Sequence, residues 1–496
     1  MRLAVSLSLI AAACLAACAS NKPPPGDDAP TLATLSQRSV PVDKDRRVQS
    51  DETQAIAAYR KFLDSTPKAE LAPQRESGVS AQRAEAMRRL GDLEMVAADN
   101  RSATSTNGAA PDYKAAVARY QDYLKTYPSD PGNDRVLHQL ARAQEQSGES
   151  EAALKTLDRL VAAYPNTATL EEAQFRRGEL LFTLKTYPAA EQAYNAVLAM
   201  NSQTAYRDRA LYMQGWSRFK QAKLEDGLQS FFGVLDGKLA NRGDETLENL
   251  KDLSRGDREL VEDTFRVMSL SLANLQGAES IAAYAKNDTR KSYEFRVYQQ
   301  LGELYIKQER VKDAADTFGA FVRKNPMHAQ APVLAARVID IYEGGGFANL
   351  ALDAKKEYVG RYGVNSEFRK SNPEGWNKAQ PLVKTRLSEL ARHYHASAQK
   401  TKATSDYQEA VRWYRDIITG FPGEPDTARN HFLLGELLYE DSRFAEASVE
   451  YEKTAYSYPR HDKSADAGYA ALLAYAEQGK RAVAADKPKL QLAGVQ

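Results

Sequence analysis

One pattern of residues occurs twice in this chain, and it constrains the fold more than any other feature. An aromatic or histidine residue and a Leu-Gly pair precede an alanine, an aromatic residue and a proline, always at the same spacing. The first copy comprises Tyr298, Leu301, Gly302, Tyr305, Ala314, Phe318 and Pro326. The second comprises His431, Leu434, Gly435, Leu438, Ala447, Tyr451 and Pro459. Two matches at one spacing indicate a repeated structural unit.

Each copy predicts two helices joined by a short turn. Gly302 and Ala314 are expected where the two helices cross closely, with aromatic side chains such as Phe318 filling the gap. Gly435 and Ala447 take the same positions in the second copy. A proline then ends the second helix, because it cannot continue the backbone hydrogen-bond ladder. No segment alternates apolar and polar residues as a half-buried strand would, so we predict an all-α chain.

The spacing resembles the tetratricopeptide repeat, with Tyr298 in place of its leading tryptophan. The resemblance implies an all-α superhelical solenoid of about nine to ten helix-turn-helix units, some of them degenerate. Ala141, Gly178 and Gly215 take the small-residue position of three further units and lie 37 residues apart. This regular period predicts that the units stack side by side. Three repeats end in Tyr-Pro, at Tyr127-Pro128, Tyr164-Pro165 and Tyr458-Pro459, and they resemble those of bacterial outer-membrane assembly and cell-division lipoproteins.

The first residues indicate secretion. Arg2 precedes an apolar run from Leu3 to Ala13, which is shorter than the roughly 20 residues of a transmembrane helix. Small residues follow the run, as they do before the cleavage site of a secretory signal.

The end of this segment, Leu15-Ala16-Ala17-Cys18, resembles a bacterial lipobox. The resemblance implies that residues 1–17 are a lipoprotein signal peptide and that Cys18 is the lipidated first residue of the mature chain. Cys14 is a rival, but no leucine stands three positions before it. An ordinary cleaved signal with a coincidental cysteine is the alternative.

Residues 18–50 are rich in Pro, Asp, Ser and Thr and contain no aromatic residue. Such a composition cannot bury enough apolar surface to fold, so we predict a disordered tether behind the lipidated Cys18. Ala19 and Ser20 lack the aspartate that retains enterobacterial lipoproteins in the inner membrane. The resemblance therefore implies an outer-membrane, periplasm-facing protein that contacts the membrane through its lipid anchor only.

The rest of the chain divides by changes in composition. We predict an N-terminal repeat array over residues 51–240, an irregular connection or hinge over 241–256, a C-terminal array with a capping helix over 257–480, and a frayed tail over 481–496. A long loop with one irregular helix is the alternative to the hinge. In the second array we expect a polar connection from Gly363 to Pro381 and a helix from Leu382 onward. The capping helix is expected to cover the end of the stack with a polar outer face.

No arrangement of residues predicts an active site. His393 and His395 are two apart on a predicted helix, so they do not share the face that two metal ligands need. No zinc-protease, nucleophile-elbow or phosphate-loop sequence occurs. The triplet Gly344-Gly345-Gly346 lacks the strand and the lysine of a phosphate loop, so it predicts a turn. We expect neither enzymatic activity nor a metal or other cofactor.

The charge balance argues against nucleic acid as a partner. Lys and Arg total 67 and Asp and Glu total 66, which gives a net charge of +1 at pH 7. Non-specific nucleic-acid binding rests on an excess of basic residues, and no such excess exists here.

In the tetratricopeptide-repeat family, the first helices of successive repeats line a groove, and fixed positions of each helix face it. Carried onto this sequence, those positions combine aromatic and arginine side chains in three adjoining repeats. The predicted partner-binding residues are Arg142, Phe175, Phe182, Arg209, Tyr212, Trp216 and Phe219. Tyr212, Trp216 and Phe219 fall on one stripe of a helix. The alternative is that these rings only pack helix against helix.

These observations favour a non-enzymatic, lipid-anchored periplasmic scaffold that binds other envelope proteins. Resemblance allows outer-membrane assembly, coordination of cell-wall synthesis with division, or a motility complex. A component of exopolysaccharide export that handles glycan or its modifying enzymes is the alternative.

Overall fold

The structure, a computed structural model, describes residues 52–66, 78–104, 112–200, 204–482 and 486–493. The expected signal peptide, the expected lipidation site Cys18 and the expected tether lie outside these residues. The described residues form α-helices and connecting turns with no β-strand among them. The predicted all-α repeat solenoid is therefore confirmed as the fold class. The chain divides into two compact units between Gln221 and Ala222.

Unit 1 contains the helices before this division, and they alternate between first and second helices of successive pairs. They are α1 (Glu52–Ser65), α2 (Gly78–Thr104), α3 (Lys114–Thr126), α4 (Asn133–Gln146), α5 (Ser150–Ala163), α6 (Leu170–Thr183), α7 (Tyr187–Ala199) and α8 (Ala205–Lys220). Helix α2 is 27 residues long. Helices that adjoin in sequence pack on one another, as in a repeat stack.

Unit 2 continues the alternation with three short helices inserted. Its helices are α9 (Leu224–Leu239), α10 (Asp244–Asn249), α11 (Arg255–Ala273), α12 (Ala278–Tyr284), α13 (Asp288–Lys307), α14 (Val311–Lys324), α15 (Ala331–Gly344), α16 (Ala348–Tyr362), α17 (Glu367–Ser371), α18 (Pro373–Thr401), α19 (Thr404–Gly420), α20 (Thr427–Glu440), α21 (Phe444–Tyr456), α22 (Ser464–Arg481) and α23 (Lys487–Ala493).

A glycine on the first helix lies directly under an aromatic ring of the second helix in four helix pairs. The pairs are Gly91 with Tyr120, Gly178 with Tyr194, Gly302 with Phe318, and Gly435 with Tyr451. A Cβ added at Gly178 would lie 2.6 Å from the Tyr194 ring, well inside van der Waals contact. The rings themselves are almost wholly buried. Ala314 and Ala447 are fully buried on the second helices of their pairs.

The residue after the glycine completes this contact when the ring is a tyrosine. The buried phenol then donates a hydrogen bond to the carboxylate that follows the glycine. The bonds are Tyr120 to Asp92 at 2.7 Å, Tyr194 to Glu179 at 2.5 Å and Tyr451 to Glu436 at 2.6 Å. Phe318 has no hydroxyl, and the corresponding Glu303 instead binds Arg337 of the next pair at 2.6 Å. The carboxylate after the glycine therefore bonds either to the second helix of its own pair or to the next helix pair.

In five turns between a first and a second helix, one residue adopts the left-handed backbone conformation. These residues are Gly148, Lys185, Glu309, Gly346 and Ser442, with φ between 58° and 78°. The next amide then bonds a carbonyl five residues earlier, as Arg310 does to Tyr305 at 2.9 Å. This is the Schellman arrangement, which satisfies the last carbonyls of a helix. The glycine triplet that ends at Gly346 occupies such a turn, as predicted.

The expected polar connection from Gly363 to Pro381 is wrong. Helix α18 begins at Pro373, and Pro381 lies inside it. Asn372 caps the helix by accepting the Gly375 amide at 2.9 Å, and Pro373 suits the first helical position because no partner is needed there. Trp376 is buried, stacks on Phe421 and donates its indole N–H to the Tyr362 carbonyl. This packing outweighs the cost of a proline inside a helix.

The stretch between the two predicted arrays contains α10 and three buried leucines, Leu247, Leu250 and Leu253. Within unit 2, Glu248 on α10 binds Lys378 on α18 at 2.5 Å, across a sequence separation of 130 residues. Arg296 on α13 also donates to the Glu248 carbonyl. This segment is therefore anchored to two distant helices.

At the other end of unit 2, the predicted capping helix is present as α22. Its outer side exposes Tyr469 by 66% and Leu472 by 47%. The expectation of a polar outer face is therefore wrong for this helix. Across the ranges that the structure describes, every helix is too short or too polar to span a membrane.

We expect Gly302→Ala to destabilise the protein by about 1–3 kcal/mol, because the new methyl overlaps the buried Phe318 ring. Urea unfolding gives the free energy, and hydrogen exchange should place the loss in α13 and α14, since repeat stability is largely local. Gly360→Ala is the matched control. Gly360 is helical and exposed with no atom near its added Cβ, so this change should be neutral or stabilising. Equal effects of the two substitutions would contradict the crossing contact.

Candidate functional site

Three first helices of unit 1, α4, α6 and α8, carry the predicted partner-binding residues. Arg142 lies on α4, Phe175 and Phe182 lie on α6, and the other four residues lie on α8. Helices α6 and α8 contact each other directly, and the second helix α7 packs against both. The structure therefore brings the α6 and α8 residues onto adjoining helices of one unit.

The rings on α8 form a continuous row. Tyr212 meets Trp216 edge to face with 6.5 Å between ring centroids, and Trp216 meets Phe219 at 5.5 Å. The ammonium group of Lys220 lies 5.6 Å from the Trp216 ring. All three rings are half-buried, which leaves part of each apolar surface in contact with solvent. Large aromatic rings held in this way match the residues that most often dominate interface energetics.

The rings on α6 are placed differently. Phe175 is only 7% exposed and belongs to the core, where it contacts Tyr194 and Tyr206. Phe182 is half-buried and meets Tyr187 edge to face at 5.3 Å. Phe175 therefore serves mainly as packing support, whereas Phe182 offers part of its ring on the helix that adjoins α8.

One of the two predicted arginines, Arg209, lies beside these rings. The Arg209 guanidinium is exposed and lies 5.9 Å from the Phe175 ring centroid, in cation–π range. Arg142 is half-buried and donates to Gln139 at 3.3 Å. Arg209 can exchange its weak ring contact for a partner's carboxylate at little cost, because its charged head is already in water.

An ion network that the sequence analysis missed joins α4 to α6. Arg176 donates to Glu172 on its own helix at 2.8 Å and to Glu145 on α4 at 3.0 Å. The His138 Nε2 atom lies 3.4 Å from Glu172. The spacing of Glu172 and Arg176 is a helical ion-pair signal, but nothing in the sequence indicates that Arg176 also reaches Glu145. The network fixes the relative position of the two helices.

Burial and charge shift three pKa values on this face in different directions. Burial raises the pKa of Glu179, although the Tyr194 hydroxyl and the Arg209 charge oppose it. Burial lowers the pKa of His138, against the pull of Glu172. Burial alone would raise the pKa of Glu172, but the Arg176 hydrogen bond and the nearby cations His138, Arg176 and Arg142 outweigh it and lower that pKa. None of these shifts creates a paired acid and base.

The described part of the chain contains no group of three or more His, Cys, Asp or Glu residues able to hold a metal ion. What this face presents is partly exposed aromatic surface beside arginine and carboxylate groups. Such a surface can bind another macromolecule through buried rings and a charged rim.

Comparison with known proteins identifies the repeat in one part of the chain. Residues 109–174 match the family model of the tetratricopeptide repeat. The repeat that the sequence predicted is thus supported by an independent match. No curated protein matches the chain.

The solved structures that match this chain share little sequence with it. The MamA RS-1 ArsTM double mutant is 16% identical, with 44% of this chain and 96% of that chain covered and a TM-score of 0.27. A tetratricopeptide repeat protein from Parabacteroides merdae is 11% identical, with 85% and 98% covered and a TM-score of 0.25. The APC/C hetero-tetramer Cut9–Hcn1 gives 12% identity, 82% and 92% coverage and a TM-score of 0.32.

We expect Trp216→Ala combined with Phe182→Ala to weaken binding of a protein partner by about 2 kcal/mol or more, because both changes remove partly exposed ring surface. Calorimetric titration of the purified double variant with that partner measures the loss. Helical content by circular dichroism should stay unchanged. Phe347→Ala combined with Tyr456→Ala is the control, since it removes two exposed rings from unit 2. If the folded double variant binds the partner as tightly as the unmodified protein does, this face is not the binding site.

Proposed function

We propose that this tetratricopeptide-repeat chain is a non-enzymatic scaffold that binds other proteins through the first helices of unit 1. The observation that carries the proposal is the partly exposed row of Tyr212, Trp216 and Phe219 on α8, with Arg209 on the same helix. Monomeric proteins rarely leave three large rings together at the surface without use. The repeat fold supports it, because stacked first helices present an extended binding surface.

The partner that this face fits is a protein segment with an apolar anchor and carboxylates. The rings can bury an aliphatic or aromatic side chain, and Arg209 on the same helix can bind an acidic group beside it. The nearly neutral charge of the whole chain gives no reason to favour nucleic acid.

We further propose that the scaffold acts in a bacterial cell envelope, anchored by lipid at Cys18 and facing the periplasm from the outer membrane. The support is the lipobox-like Leu15-Ala16-Ala17-Cys18 together with the Pro- and Asp-rich stretch behind it. A tether of about 30 residues spans roughly 30 Å on average, so the repeat units would stand off the membrane while remaining attached. Its partners would then be other envelope proteins of an assembly, division or motility complex.

Photocrosslinking in living cells tests the binding face. We expect p-benzoylphenylalanine at position 212 to give one or a few discrete protein adducts, because Tyr212 lies within the ring row. The same reagent at position 347 is the control, since Phe347 is exposed in unit 2. Mass spectrometry then names the partner. Adducts at 347 but not at 212, or adducts of saccharide, would contradict the proposal.

Membrane fractionation tests the anchor. We expect Cys18→Ala to leave a folded protein that high salt releases from membranes, because no acyl chain can be attached. Cys14→Ala is the matched control and should stay in the outer-membrane fraction, since Cys14 would leave with the signal peptide. If Cys18→Ala still fractionates with the outer membrane in high salt, lipidation is not what holds the protein there.

A further inference from the structure

Helix α22 leaves an apolar stripe at the surface of unit 2, on a different unit from the face proposed above. Ala465, Tyr469, Leu472 and Ala476 follow one another at spacings of four, three and four residues, and all four are exposed. This spacing keeps side chains on one side of a helix, and it is the seam spacing of a coiled coil. Exposed apolar residues arranged in this way indicate a surface that another helix covers.

The stripe lies where other first helices meet their second helix. Leu472 stands eight residues after the first residue of α22, as Gly178 does on α6 and Gly435 does on α20. At both glycines a tyrosine ring of the second helix lies directly on the first helix. Among the described residues only the seven-residue α23 follows α22, and it packs against part of that helix. The face that a second helix covers elsewhere is therefore largely open, and its occupant must fit around a leucine side chain.

A cleft between α22 and α23 accompanies the stripe. Its volume is about 580 Å³, within the range of about 300–1,000 Å³ that is typical of pockets that receive a bound group. Leu472, Tyr475, Ala476 and Gly479 line the cleft from α22, and Leu490 lines it from α23. The other described residues in its lining carry no carboxylate; they are Lys480, Lys487 and Gln491. An apolar cleft with ammonium groups in its lining suits an aromatic ring, because the face of a ring attracts cations.

Helix α22 carries both an exposed ring and the cleft that fits it, on opposite sides of Ala474. Tyr469 and Gly479 lie five residues before and after Ala474, and Leu472 and Ala476 lie two residues before and after it. An antiparallel pair of α22 helices centred there places each Tyr469 over Gly479 of the second copy. It also places each Leu472 beside Ala476 of the second copy. Such a contact uses the same surface on both copies and closes after two of them.

The charges beside the stripe fit the same antiparallel arrangement. Asp466 lies near the start of α22 and Lys480 near its end, and both are exposed. Within one copy Asp466 pairs with Lys463 at 2.9 Å and Lys480 pairs with Glu477 at 2.6 Å. In the antiparallel pair Asp466 faces Lys480 of the second copy, so opposite charges meet at both ends. A stripe with an acidic end suits an anionic lipid surface less well, because the carboxylate is repelled.

We propose that two copies of this chain form a symmetric dimer through antiparallel α22 helices, with Tyr469 of each copy seated in the cleft between α22 and α23 of the other. The dimer rests on unit 2 alone and does not depend on the binding face of unit 1. An 18-residue helix is about 27 Å long and about 10–12 Å wide, so the contact is smaller than a standard interface of about 800 Å² per partner. We therefore expect a dissociation constant on the order of 10 μM.

Sedimentation equilibrium tests the dimer with the full chain carrying Cys18→Ala, so that no lipid is attached. A monomer–dimer equilibrium is expected between about 1 and 200 μM. Leu472→Glu should weaken it by about tenfold or more, because a carboxylate would be buried at the centre of the contact. Leu350→Glu is the matched control and should leave it unchanged, since Leu350 on α16 is also 47% exposed. A monomer at every concentration, equal losses in both folded variants, or growth beyond a dimer would overturn the proposal.

A charge exchange tests the antiparallel orientation. Asp466→Lys should weaken dimerisation about fivefold in about 50 mM salt, because the new ammonium group faces Lys480 of the second copy and screening is limited. Adding Lys480→Asp to the same chain restores opposite charges and should return the dissociation constant to within about twofold of its original value. Circular dichroism checks that both variants keep their helical content. If the folded double variant dimerises no better than Asp466→Lys alone, the antiparallel pairing is refuted.

Discussion

The close crossing of two helices at a glycine is the contact on which the rest of the stack depends. A ring seated directly on a glycine lets the helix backbones approach, and the ring fills the space that would otherwise be a void. Tyr120, Tyr194 and Tyr451 bring a buried hydroxyl into this contact, and the carboxylate after the glycine satisfies it. With Phe318 the carboxylate of Glu303 becomes available to Arg337 instead. Where the ring carries a hydroxyl, the carboxylate after the glycine thus links the two helices of one pair. Where it does not, as at Phe318, the carboxylate links its pair to the next pair.

Much of this architecture could be predicted from sequence, because the residues at the crossing have few alternatives. Gly302 and Phe318 stand at a spacing that only a helix pair explains, and their contact follows from it. Local signals failed where tertiary packing outweighed them. Pro381 argued for a connection, but burial of Trp376 extends a helix through it. Phe175 was assigned to the binding face from its position in the repeat alone. Its burial depends on the Tyr194 ring of the next helix, which that repeat position does not specify.

Degenerate repeats show why charge networks escape sequence analysis. On α16, Lys355 takes the place that Phe318 and Tyr194 hold in other pairs. It binds Glu343 on α15 at 2.5 Å and Glu389 on α18 at 2.9 Å, while Arg386 binds Asp340 at 2.6 Å. A largely buried ammonium group needs such partners, since a buried unpaired charge is costly. Each charge is unremarkable in the sequence, and only the folded junction reveals that three helices share them.

The long-range ion pair between Glu248 and Lys378 has a consequence for the order in which unit 2 forms. Helices that pack on their neighbours in sequence can assemble as soon as both are available, and closing such short loops costs little entropy. Helix α10 reaches α18 only across 130 residues, so this contact must wait until the intervening helices are in place. An exposed ion pair contributes at most about 1 kcal/mol and cannot drive that closure. Unit 1 can therefore grow pair by pair from any point, whereas the ion pair between α10 and α18 in unit 2 can form only after the helices between them have stacked.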